Sequence, residues 1–235
     1  MSGRASYNWA FDEAGSWSHT GSLNVTYKSG EKLELHLGPR LTRAYAEAQY
    51  VTSREDPLAT ATFGRRYIFA PIDQTTLALD TRLNVTFSPT LTLQVYAQPL
   101  ISSGDYGGLK EFRTPGTFDF LRYGEDAGTM YRLDNGRFLI DPDGSGAAPG
   151  ITIRDQDFNV RSLRGNAVLR WEWSPGSTLF LVWQQRRYHR ALRDAWDPLA
   201  SDGIGDFDFR YDAGELVRIR PDNIFLIKVN YWLNL

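Results

Sequence analysis

The chain has 235 residues, of which 42% are hydrophobic and 14% aromatic, with a formal net charge of −2 and no cysteine. That length suits one all-β domain or two small ones, and no run of about 18 apolar residues exists that would cross a bilayer as a helix. Near-neutral charge gives no reason to expect nucleic acid as a partner, and without thiols neither a disulfide framework nor a cysteine metal site is open to the chain.

Apolar residues recur instead at every second position, the period of a strand. Tyr7, Trp9 and Phe11 mark a first strand, and Leu23, Val25 and Tyr27 a second. Leu33, Leu35 and Leu37 open a third that runs on to about Val51, past an interruption at Gly38-Pro39. A long fourth strand is predicted from about Thr60 to Phe87, with Leu77, Leu79, Leu83, Val85 and Phe87 on its apolar side. Leu91, Leu93, Val95 and Ala97 give a fifth; Leu163, Ala167, Leu169, Trp171 and Trp173 a sixth; Leu179, Leu181 and Trp183 a seventh. The eighth, Phe225 to Leu235, keeps one face apolar to the final residue. Soluble domains tend to fray at their ends, so this stripe reads as a strand held in a wall. Val168, Phe180 and Val182 break the alternation and are expected to pack inside. No amphipathic helix is evident.

Lys28-Ser29-Gly30-Glu31, Ser88-Pro89-Thr90 and Ser174-Pro175-Gly176 have the residues of tight turns. Between them lie longer connections, at about Asp12 to Ser16, Ser53 to Ala59, Asp105 to Gln156 and Ala191 to Asp222. Short and long connections alternate, as in outer membrane barrels with short periplasmic turns and long extracellular loops. The expected fold is an all-β, antiparallel up-and-down transmembrane β-barrel of about eight strands, closed on itself or forming the C-terminal part of a larger barrel. Residues 1–235 would form a single domain, with 106–155 and 191–221 as extracellular loops. Within the first loop, Asp134-Asn135-Gly136 reads as the type I′ turn of a small hairpin. The abundant Phe, Tyr and Trp suit the girdles at the two membrane interfaces. Met1 to Asn8 has no basic and apolar export signal, so the chain reads as the downstream part of a longer exported protein rather than as a cytoplasmic one.

Several segments are similar to a known family. Gln49-Tyr50-Val51-Thr52, Tyr96-Ala97-Gln98-Pro99, Ser103-Gly104-Asp105-Tyr106, Phe118-Asp119-Phe120, Phe180-Leu181-Val182-Trp183-Gln184-Gln185 and Asn223 to Val229 carry the likeness. Its most specific part is the run from Ser162 to Glu172, Ser-Leu-Arg-Gly-Asn-Ala-Val-Leu-Arg-Trp-Glu. Together they resemble the C-terminal half of the domain of unknown function 5916 family, which is similar to outer membrane barrels and often follows a family 9 carbohydrate-binding-like module. The resemblance implies a bacterial outer membrane location, with the barrel assembly machinery and an upstream carbohydrate-binding-like module as partners. That module, the export signal and the earlier strands do not appear in this sequence, and no catalytic residue carries over.

The polar strand faces supply the candidate sites. Glu34, His36, Asp80, Arg82, Arg164, Arg170, Glu172 and Lys228 face inward and would line an aqueous lumen, or pair with one another in a filled barrel. Pairing is expected for eight strands alone and a polar lumen for a larger parent. Arg186, Arg187, Arg190 and Arg193 cluster near the end of the seventh strand, where arginine forks would match lipopolysaccharide phosphates, or simply form a solvated loop start. Asp141, Asp143 and Ser145 resemble the start of a calcium loop, to which Asp155 and Asp157 would add ligands, although no EF-hand glutamate follows. A solvated Asp-Pro, Asp-Gly turn is the simpler account of the same residues. Otherwise no cofactor is expected. His36 beside Glu34, or His189 near Asp194, offers a base with an orienting carboxylate, but no nucleophile motif accompanies either pair, so no enzyme activity is expected. The expected function is that of a pore, surface receptor or transport component in contact with outer membrane lipid and lipopolysaccharide. A soluble lipocalin-like ligand-binding barrel is the alternative, and an outer membrane barrel hydrolase a third reading.

Overall fold

The computed structural model describes residues 1–193 and 203–233. In chain order its strands are β1 (Ser2–Phe11), β2 (Trp17–Ser29), β3 (Leu33–Glu55), β4 (Arg65–Ser88), β5 (Leu91–Tyr106), β6 (Lys110–Phe112), β7 (Phe120–Arg122), β8 (Thr129–Arg132), β9 (Phe138–Asp141) and β10 (Ile151–Ile153). They are followed by β11 (Phe158–Ser174), β12 (Ser177–Leu192), the helix α1 (Phe209–Arg218) and β13 (Asp222–Asn230). The long strands form one antiparallel sheet in the order β1-β2-β3-β4-β5-β11-β12-β13, an up-and-down meander. All eight expected strands are present. The sheet does not close: among the described residues β1 pairs only with β2 and β13 only with β12. No described helix is long and apolar enough to cross a membrane, which says nothing of strands.

Alternation in sequence becomes segregation of faces because the registers keep parity from strand to strand. Tyr27, Leu35, Leu83, Val95, Ala167, Trp183 and Phe225 stand opposite one another in one apolar row across seven strands. One residue away, Thr26, His36, Arg82, Tyr96, Asn166, Gln184 and Ile224 form a row on the polar face. Val168 and Val182 oppose each other on that polar face, as expected of the residues that break the alternation. Gly38-Pro39 interrupts a ladder rather than a strand. The β2–β3 ladder has a gap between Val25↔Leu37 and Ser22↔Arg40, with its register unchanged, while β3 stays paired to β4 through Pro39↔Leu79, because proline has no N–H to give to one of its two neighbours.

The buried apolar cluster is not in the wall. It gathers Ile68 and Ala70 of upper β4 with Leu109, Tyr123, Ile140, Ile151 and Ile153 of the segment 106–155. That segment is therefore a folded insert: β6 pairs antiparallel with β4 and with β7, while β8, β9 and β10 form a separate three-stranded sheet. Ile68 and Ala70 keep the parity of Asp80 and Arg82, so this core sits on the polar side of the wall. The β8–β9 hairpin is present, but its turn is not type I′. Positive φ occurs at Gly136 alone, 77°, and Gly136 N–H donates to Leu133 O at 2.9 Å.

Two further expectations need correction. The segment 203–220 contains the amphipathic helix α1, capped by the Asp208 carboxylate, which accepts from Tyr211 N–H at 3.0 Å. Its buried face is Asp212, Glu215 and Leu216, continued by Ile219, a stripe half made of carboxylates that a search for apolar periodicity passes over. The helix lies on the apolar-parity side of the wall, where Arg161 holds Asp212 at 2.7 Å and Arg187 donates to the carbonyls of Val217 and Ile219. The two inserts thus occupy opposite faces at the same end of the sheet. The last strand is also shorter than its stripe. β13 ends at Asn230, and Trp232 N–H bonds Ser177 Oγ at 3.1 Å beside Gly176, whose φ is 79°. Leu235, the expected terminal wall residue, lies outside the described residues.

Candidate functional site

The inward-charge set lands on one face, as its parity requires, but most of it is not cross-paired. Glu34 meets Lys28 at 3.1 Å, with both side chains well exposed. Arg170 meets Glu172 at 2.8 Å. His36 Nδ1 is 3.2 Å from Thr26 Oγ1. Asp80 accepts from Tyr96 Oη at 3.2 Å and Gln98 Nε2 at 3.0 Å, both neutral donors. The Arg82 guanidinium lies 5.6 Å from the Tyr96 ring centre, and the Lys228 ammonium 5.8 Å from that of Phe180. Arg164 lines a concavity of about 410 Å³ with Tyr96, Asn166, Gln184 and Arg186. Among the described residues Arg170–Glu172 is the one ion pair between two members of the set, since Lys28 comes from outside it. An open trough lets exposed arginines hydrate, whereas a closed narrow barrel would have forced partners on them.

The four arginines of the lipopolysaccharide expectation do not share a surface. Arg186 and Arg190 stand on the polar face, the first over the Tyr188 ring at 5.9 Å and the second over Phe158 at 5.3 Å. Arg187 is on the other side, bonded to α1 carbonyls. Arg193 bonds Asp155 at 3.2 Å, Asp157 at 2.8 Å and the carbonyl of Ile204. Consecutive strand residues point to opposite faces, so neighbours in sequence separate in space.

The Asp141-to-Ser145 loop binds its own backbone. Asp141 Oδ1 accepts from Gly144 N–H at 3.0 Å, and Asp143 Oδ2 from Ala148 N–H at 2.9 Å. The Ala148 amide, with other loop donors, holds the Asp143 carboxyl below its ordinary range. Asp155 and Asp157 do not fold back onto this loop; they belong to the Arg132 and Arg193 cluster. Among the described residues no three of His, Cys, Asp and Glu gather in a metal-holding group. Of the two histidine pairings, only the one between His36 and Glu34 lies among the described residues, and it does not form. Glu34 and His36 engage Lys28 and Thr26, and Asp194 lies outside the described residues.

Charged groups without any recognisable motif hold the first insert on the wall. Arg66 bridges Asp56 at 2.6 Å and Glu111 at 2.5 Å, and Lys110, almost wholly buried, pairs with Glu47. Burial works against the Asp56 carboxylate, but Arg66 and the Leu58 N–H outweigh it and lower its pKa. Burial prevails at Glu111 and Asp157, pushing both above the usual carboxylate range despite Arg66 and Arg193. No local motif marks these residues, because their partners are distant in sequence. Arg186 shares the polar face with Arg164, which stands opposite it in the β11–β12 register. No protein-family model, curated protein or solved structure matches the chain.

Proposed function

We propose that the chain is the wall of an integral bacterial outer membrane β-barrel, or eight strands of a larger one, acting as a pore or as a surface receptor for transport. The observation that carries this reading is the two-sided sheet. Its apolar face is open to the surroundings, with Phe225 and Ile227 each 73% exposed, while its other face is polar. Leu91 to Ile101 and Leu163 to Trp173 keep that apolar parity over about 9–11 residues, the length at which a tilted strand crosses a bilayer. Tight turns at one end and folded inserts at the other support the same orientation. A soluble ligand-binding barrel would turn its apolar face to a cavity and its polar face to water. The likeness to the domain of unknown function 5916 family supports an envelope role, and through that family's upstream module a connection with glycans. The contacts with lipid, lipopolysaccharide and the barrel assembly machinery follow from this location.

Partitioning tests the proposal. Expressed behind an added export signal, the chain is expected to stay in the outer membrane fraction after alkaline carbonate washing and to need detergent to run as a monodisperse species. A monodisperse, folded chain without detergent overturns it.

A further inference from the structure

On the polar face Arg164 stands directly opposite Arg186 across β11 and β12. Like charges in register repel. Arg82 enters the same stretch of the face from β4, packed on the Tyr96 ring that lines the Arg164–Arg186 concavity. Among the described residues none of these three guanidinium groups has a carboxylate at ion-pair distance. The face does carry carboxylates nearby. Asp80 is taken up by Tyr96 and Gln98, and Asp222, which lines the same concavity opposite Arg186 in the β12–β13 register, makes no ion pair with it. Three guanidinium groups against these two carboxylates leave an excess of positive charge. The amides of Asn166 and Gln184 add neutral donors at the same place.

We infer that this trough binds the oxyanion group of a small solute, a phosphate or a carboxylate. Guanidinium forks match both groups with paired N–H donors, and an anion between Arg164 and Arg186 turns their mutual repulsion into shared attraction. The Tyr96 ring gives the rest of such a solute an apolar surface beside the charge. This deepens the proposed function by giving the water-filled face a ligand class, and it rests on that face being a lumen.

The test is calorimetric titration of the full 235-residue chain, folded in zwitterionic detergent at constant chloride, with sodium phosphate in one arm and sodium glucuronate in the other. Saturable heat in at least one arm is expected, and the arm that responds identifies the oxyanion. Arg164→Gln and Arg186→Gln should each weaken binding about tenfold or more, given what a charged hydrogen-bond partner is worth. Arg190→Gln, stacked on Phe158 further along the same face, should leave it unchanged. Heat in neither arm, or heat that survives both glutamine substitutions, overturns the inference. In anion-free buffer both variants should melt no lower than the parent, because repulsion has been relieved; a marked drop would make the arginines structural and also overturn it. Failure of the membrane reading shows separately, as a chain that is monodisperse without detergent.

Discussion

At the scale of single residues, the fold depends on ion pairs that are dry. Arg161 is 1% exposed, its partner Asp212 is fully buried, and the Arg161 guanidinium also lies 5.2 Å from the Tyr211 ring centre. A buried pair adds little net stability over a well-packed apolar pair, but removing one partner of such a pair costs about 3–5 kcal/mol. Asp212→Asn is therefore expected to loosen α1 by about 3 kcal/mol, seen as faster amide exchange across 203–220 with wall amides unchanged. The double change Arg161→Met with Asp212→Leu should recover most of that protection. Unaltered exchange of α1 in Asp212→Asn would show that other contacts hold the helix. Nothing local announces this pair, whose members are 51 residues apart in sequence.

Elements differ in how far they could be read from sequence, and the reason is which side of them is dry. The wall strands were legible because apolar side chains occupy every second position, so Leu91, Leu93 and Val95 write the period directly. α1 was not, because half of its inward stripe is Asp212 and Glu215, neutralised by arginines rather than replaced by leucines. The insert 106–155 was legible only as a hairpin around Gly136; its strands of three or four residues are too short for alternation to show. What holds it is the cluster around Ile140, itself fully buried. Ile140→Ala should cost about 2–4 kcal/mol, confined to the insert and upper β4. Limited proteolysis between 106 and 155 would then precede any loss of wall strands, and simultaneous loss of both would contradict this division.

For the molecule as a whole, one sheet with two unlike faces leaves its dry core in an insert rather than in the wall. The wall carries rows of backbone groups at β1 and β13 that have no described neighbour, a condition that lipid does not tolerate, so in a bilayer those edges must be covered by strands. Fold class and strand order followed from parity and connection length, whereas closure did not, because an edge strand and an inner strand show the same alternation. The meander also has a bearing on assembly time. Two pairings between long strands span long connections: β12–β13 across residues 193–221, and β5–β11, which must wait for residues 107–157 to close a loop. Closure of a flexible loop costs entropy that grows with its length, and non-local pairings are the slow ones. Here Tyr106 N–H donates to Asp157 Oδ1 at 2.8 Å, so the folded insert brings its own two ends together. The insert thus serves as a kinetic staple that lets two hairpin blocks zip into one wall, and loosening it by Ile140→Ala should delay β5–β11 protection in pulse-labelled refolding while the β3–β4 amides protect at the parental rate.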